Sequence, residues 1–213
     1  MKTAGLILTA CLLVLPGAWG QQDAYSQHER NLKMPEIVHA MDLHDGSKAA
    51  DIGAGGGDYE PALSRAVGTG GQVYAEDIEA DAIKRLHHRI GEAHLRNVKV
   101  IHGVPDDPQL PAGQLDAVLM VIMYHEVANH EKMLEHVKAS LKPGGHLVIV
   151  DMTPHKTLNR PRTDQTKNHV IAADTVESEV RAAGFEVVSR DDRFIDRPDE
   201  ESTRYMIVFR KPL

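Results

Sequence analysis

From Met34 to the C-terminus, apolar positions fall into two alternating rhythms. Short runs rich in β-branched and apolar residues predict strands at 48–52, 72–75, 98–101, 115–122, 146–150, 185–189 and 205–210. Between them, apolar residues three or four apart predict helices at 35–41, 58–67, 79–93, 130–141 and 170–183. In 79–93, Ile83, Leu86 and Ile90 share a face, and Glu79 and Asp81 suit the helix N-terminus. In 130–141, Met133, Leu134, Val137 and Leu141 point inward. Pro35 and Pro61 fit first turns, Gly184 a C-cap, and 143–145 a turn. The unbroken run LDAVLMVI at 115–122 describes a strand covered on both faces.

Strands alternating with helices of ten or more residues imply an α/β fold: a doubly wound, mainly parallel sheet with helices on both faces. Such sheets bind ligands beyond the carboxyl ends of their strands. At 213 residues and 42% hydrophobic, the chain suits one such domain, assigned to 34–213.

The front end is different. Lys2, an apolar run from Ala4 to Leu15, and small residues up to Gly20 read as a secretory signal at 1–20, cut after Gly20. The expectation is export to a periplasm or the medium, without stable membrane insertion after cleavage. Leu8-Thr9-Ala10-Cys11 resembles a lipobox, but the apolar residues after Cys11 disfavour lipid anchoring. Cys11 is the only cysteine, so the mature chain would hold no disulfide or thiolate. Residues 21–33 read as a loose polar lead-in. A net charge of −7 and 4% aromatics argue against a nucleic-acid partner. Oligomeric state leaves no mark in the sequence.

The chemistry gathers at Asp51-Ile52-Gly53-Ala54-Gly55-Gly56-Gly57-Asp58, between a strand and a helix. Glycines there let the backbone pass close to a ligand at a helix N-terminus. Asp77, at the end of the next strand, can accept from both ribose hydroxyls of a nucleoside. Glu76 competes for that role, and strand alternation predicts that only one of the two faces the ligand. A dinucleotide needs a third glycine where Asp58 stands, and a carboxylate repels a pyrophosphate. S-adenosylmethionine has no phosphate and carries two cationic groups, which suit an acidic loop.

DIGAGGG, VYAEDI, LDAVLMVIMYHE and LKPGGHLVIVD, in that order, resemble the successive motifs of class I S-adenosylmethionine-dependent methyltransferases, most closely the quinone-biosynthesis and small-molecule branch. The resemblance runs from about Met34 to Asp151, more loosely beyond. It implies a seven-stranded sheet in the order 3-2-1-4-5-7-6 with the last strand antiparallel. It implies that Asp51, Gly53, Ala54, Gly55 and Gly56 line the methionine part, Asp77 holds the ribose and Ile78 packs on the adenine. Relatives carry Gly-Asp after the third strand. Here Gly103 is followed by Val104, so Asp106 is the candidate for the adenine amino group, and turn formation explains it equally well.

The acceptor is expected to be a small molecule, met at the end of the fourth strand, where Met123-Tyr124-His125-Glu126 sits. His125 is the candidate base, and Tyr124 the candidate for orienting the acceptor or contacting the cofactor. Both can equally serve structure alone. No metal is expected. A grouping of His125, Asp151, His155 and His169 was weighed and lacks a recognisable ligand spacing. Two other functions stay open: binding S-adenosylmethionine without catalysis, and nicotinamide-dependent redox chemistry, against which stand Asp58 and the lack of a Tyr-x-x-x-Lys pair.

Overall fold

The computed structural model describes residues 26–154, 158–196 and 202–213. The signal at 1–20, Cys11 and His155 lie outside the described residues. Among the described residues, no helix is long and apolar enough to cross a membrane.

Seven strands form one sheet: β1 Lys48–Ile52, β2 Gln72–Asp77, β3 Val98–His102, β4 Leu115–Val121, β5 Leu141–Pro154, β6 Glu186–Ile195 and β7 Ser202–Arg210. Their order is β3-β2-β1-β4-β5-β7-β6. The first five pair in parallel, and β7 runs antiparallel to both of its neighbours. The helices are α1 Gln27–Asn31, α2 Met34–Ala40, α3 Glu60–Val67, α4 Ala80–Glu92, α5 His130–Ser140, α6 Arg162–Thr166 and α7 Ala173–Ala182.

The apolar run of β4 behaves as its pattern predicts. Ala117 and Leu119 pack with Met34, Ile37 and Leu63 of α2 and α3. Val118 and Met120 pack with Leu134, Val137 and Val176 of α5 and α7. Full burial of a Leu or Val side chain contributes roughly 1.5–3 kcal/mol, so this strand anchors both layers.

Three segments differ from expectation. The described part of the lead-in is helical: the Ser26 hydroxyl accepts the Glu29 N–H, and Glu29 accepts the Ser26 N–H at 2.6 Å. This capping box starts α1, and Glu29 then pairs with Arg65 of α3. The turn expected at 143–145 lies inside β5, which begins at Leu141 and meets β4 through a register shift near Leu115. β6 runs on to Ile195 because β7 pairs along it through two irregularities.

A glycine loop, an acid cluster and a histidine at the strand ends

The loop after β1 passes three glycines with positive φ: Gly53 at 73°, Gly55 at 58° and Gly57 at 79°. Gly53 matters most. A Cβ built there would stand 3.0 Å from Cβ of Met123, so only glycine lets the loop lie against the end of β4. The contact sets the predicted cofactor loop beside the Tyr124–Glu126 turn. Ala54 is buried and donates its N–H to the Glu76 carbonyl. Gly56 is exposed, with open space around it.

Both acids of β2 turn towards this loop. Asp77 Oδ2 accepts the Gly55 N–H at 2.9 Å, and its Oδ1 accepts the Glu79 N–H at 2.9 Å. Glu76 Oε2 lies 3.4 Å from the Gly53 N–H. The expectation that only one acid reaches the loop is therefore corrected. Alternation lapses where the strand turns into the next element, and the longer Glu76 side chain reaches back. Ile78 is 41% exposed beside them, an apolar surface fit to meet a flat ring.

Beneath the loop lies a group of carboxylates that the sequence only half revealed. Asp51, Glu60 and Glu76 are buried at 2%, 0% and 2% exposure. Asp51 and Glu60 are within hydrogen-bond reach of each other and can share one proton, whereas Glu76 Oε1 meets no donor among the described residues. Burial, reinforced by Glu60, Glu76 and Asp77, holds Asp51 well above the usual carboxylate range. Burial pushes Glu60 up to about 7. Burial, with Asp77 and Asp107, pushes Glu76 up to about 8. Buried acceptors without donors are costly, and a cationic, hydrogen-bond-donating ligand relieves them. The ammonium, sulfonium and ribose hydroxyls of S-adenosylmethionine meet that need, so the residues present fit it. Sequence reasoning missed Glu60, which in the first turn of α3 looks like an ordinary dipole partner.

Asp58 does not face the loop interior. It pairs with Arg89 at 2.9 Å and lies 3.6 Å from His28. Charge on Asp58 is thus already countered by Arg89, and the raised acids beneath the loop repel a pyrophosphate only once they lose their protons. Asp106 takes the turn that the sequence offered as its second reading. It occupies the turn closed by the Val104 and Asp107 hydrogen bonds and lies 3.4 Å from Lys132 Nζ and from Asn129 Nδ2. Pro105-Asp106 favours that turn, and Lys132 and Asn129 stand beside its partly exposed carboxylate.

At the end of β4, Ile122 has φ 50°, a strained value for a β-branched residue. It delivers Tyr124 and His125 in opposite directions. Tyr124 is fully buried, and its hydroxyl donates to Glu179 of α7 at 2.9 Å. Its expected role with the acceptor is corrected to anchoring: the hydroxyl is already used. His125 is 4% exposed. Its Nδ1 meets Asp151 Oδ1 at 2.8 Å, and its backbone N–H donates to Asp151 Oδ2 at 3.1 Å. Burial lowers the His125 pKa, but the Asp151 hydrogen bond and charge, with Glu126, outweigh it and hold the imidazole above its ordinary value. Glu126 Oε1 stands 3.1 Å from His125 Nε2 and 2.5 Å from His169 Nδ1. Of the grouping weighed from sequence, His125, Asp151 and His169 thus come together, with Glu126 added.

A family model described as a methyltransferase domain matches residues 26–190. A demethylmenaquinone methyltransferase of Geobacillus sp. (strain WCH70) is 31% identical over 123 residues, 57% of this chain and 53% of that protein. The chain spans about half the length of the curated relatives it matches. Among solved structures, a SAM-dependent methyltransferase from Aquifex aeolicus is similar with TM-score 0.72 and 22% identity, over 90% of this chain and 97% of that one. A phosphoethanolamine N-methyltransferase from Haemonchus contortus, in complex with S-adenosyl-L-methionine, is similar with TM-score 0.68 and 13% identity, over 87% of this chain and 53% of that one. Strand order, glycine loop and family match agree: the chain belongs to the methyltransferase domain family, the S-adenosylmethionine-dependent methyltransferases of class I.

Proposed function

We propose that this protein transfers a methyl group from S-adenosylmethionine to a small-molecule acceptor that bears an ionisable hydroxyl. The observation that carries this reading is the Gly53–Met123 contact, which sets the acid-lined loop directly beside the turn that holds His125. Cofactor cradle and acceptor-activating group are then neighbours. An aromatic acceptor of the quinone class, which bears hydroxyls in its reduced form, is suggested by the relatives named for demethylmenaquinone methylation.

Bound S-adenosylmethionine supplies a methyl group already activated on sulfur. Asp77 and the loop amides orient the nucleoside, and Asp51 with Glu60 accept from the ammonium. Ile78 covers one face of the adenine. In the transfer, the sulfur–methyl bond breaks with its electron pair left on sulfur. The bond from methyl to the acceptor atom forms, and one proton leaves the acceptor. Alignment and exclusion of water supply most of the acceleration. Activation of the acceptor centres on His125, whose Nε2 is directed by the hold of Asp151 on Nδ1.

The test is methyl transfer from radiolabelled S-adenosylmethionine to a panel of quinols, catechols, amines and thiols. Transfer is expected to hydroxyl-bearing aromatics, with His125→Gln slowing it while leaving cofactor affinity intact. Tight cofactor binding without transfer to any acceptor class would leave a binding protein and end the catalytic reading.

A further inference from the structure

At His125 two imidazoles converge on one exposed carboxylate, a meeting that either protons or a cation can close. Nδ1 of His125 points at Asp151 Oδ1, so in the neutral ring the single proton sits there and Nε2 bears a lone pair. That lone pair faces Glu126 Oε1 at 3.1 Å. The same oxygen lies 2.5 Å from Nδ1 of His169. A neutral His169 can donate its Nδ1–H to that oxygen, so the open valence is the His125 Nε2 lone pair, which one proton or one divalent cation would fill.

We propose that His125 Nε2, Glu126 Oε1 and His169 Nδ1 bind one divalent transition-metal ion of the zinc type. The metal carries out the acceptor activation assigned above to His125, a role that rests on the methyltransferase reading. The three donor atoms lie within 4.8 Å of one another. The two imidazole planes stand at 83° with ring centres 6.0 Å apart, so the rings converge edge to face rather than stack. Two nitrogens and one carboxylate oxygen suit zinc, iron(II) or cobalt(II), whereas magnesium and calcium prefer an all-oxygen set. Three protein ligands leave a coordination position open, the pattern of a catalytic rather than a structural site.

The surroundings fit this role. Asp151, at 0% exposure, stands behind His125 as the outer carboxylate that fixes the tautomer and orientation of a metal-binding imidazole. Glu126 and His169 are exposed, so an ion and an acceptor oxygen can enter from solvent. His169 has φ 54°, a left-handed conformation held by its N–H to the Thr166 carbonyl, which sets its ring opposite His125. An acceptor hydroxyl at the open position would be polarised and would release its proton to solvent water, which the exposed Glu126 and His169 leave within reach, without change of oxidation state.

The experiment uses the full chain, stripped with chelator and titrated with Zn²⁺ alone by calorimetry and with Co²⁺ alone by visible absorption. One ion per chain is expected, with cobalt bands of a low-coordinate N/O site. His169→Ala and Glu126→Ala, at exposed positions that spare the fold, weaken affinity at least about tenfold, and Asp151→Asn about 10–100-fold. His88→Ala leaves binding unchanged, although His88 and Glu92 form a competing surface pair. No tight ion, or an ion indifferent to His169→Ala and Glu126→Ala, overturns the site. Stripping is expected to reduce methyl transfer and Zn²⁺ or Co²⁺ to restore it; equal activity of the stripped chain overturns the activating role. Cofactor titration of the stripped chain is read separately. Its failure would sink the methyltransferase reading and leave the metal result standing.

Discussion

Asp151 grips His125 with both carboxylate oxygens, one on the ring Nδ1 at 2.8 Å and one on the backbone N–H at 3.1 Å. Ring orientation and backbone position are thus set by a single buried residue. Asp151→Asn preserves the shape but offers an amide where a second acceptor is required, so the imidazole tautomer is no longer fixed. Methyl transfer is expected to fall about 10–100-fold, the scale seen when an outer carboxylate behind a functional histidine is lost. Cofactor affinity measured by calorimetry should stay within about twofold, because Asp151 touches none of the loop. A parallel loss of cofactor binding would mean that the substitution disorders the strand ends generally.

Asp77 has a different task. It already satisfies the Gly55 and Glu79 N–H groups, so it shapes the loop before any ligand arrives. Asp77→Ala removes both the ribose acceptor and this preorganisation. Affinity for S-adenosylmethionine should weaken tenfold or more, about 1.4 kcal/mol, by calorimetry on the intact chain. NAD, titrated beside it, should bind neither form, because the loop lacks the third glycine of a dinucleotide fold and carries Asp58 in its place. Appreciable NAD binding would reverse the cofactor assignment.

The chain pattern made the sheet legible because burial on two faces leaves an unbroken apolar run, as in β4, and burial on one face leaves a period, as in α4. The glycine loop was legible because φ near 73° and the contact with Met123 admit nothing larger at Gly53. Glu60, and the part of Glu126 in joining His125 to His169, were not legible. The latter joins residues 43 apart through a loop whose conformation carries no periodic signal. Tyr124 was misread because adjacency to His125 suggests a shared site, whereas the strained Ile122 delivers the two side chains to different neighbours.

The acid cluster makes stability and binding depend on pH in a defined direction. Glu60 and Glu76 hold their protons in the folded chain up to about 7 and about 8, against ordinary values near 4.5 in the unfolded chain. Their contribution is fully present below about pH 4.5 and is lost as pH rises through about 7 to 8. Without ligand, the melting temperature should therefore decline between pH 5 and pH 9. Glu76→Gln, which stays neutral throughout, should flatten that decline. A cationic ligand prefers the deprotonated acids, so binding of S-adenosylmethionine should strengthen as pH rises through the same window. It should also release protons, read as a dependence of the calorimetric enthalpy on buffer ionisation. A melting temperature that rises from pH 5 to 9 with no change in Glu76→Gln would refute the account.

Tyr124 gives the clearest separation of structure from chemistry at the end of β4. Its ring is buried among the side chains of the larger core cluster, and its hydroxyl donates to Glu179, which also lies 2.9 Å from Arg162 Nε. Tyr124→Phe keeps the ring and removes one hydrogen bond to a charged acceptor, a loss of about 1.5–3 kcal/mol. For a chain of this length, each kcal/mol lowers the melting temperature by about 2–4 °C, so the variant should melt several degrees lower. Turnover below that melting point should change less than about threefold, since Arg162 still holds Glu179 and His125 keeps Asp151. A large fall in turnover with unchanged melting temperature would return Tyr124 to the acceptor site and require the hydroxyl to leave Glu179 during the reaction.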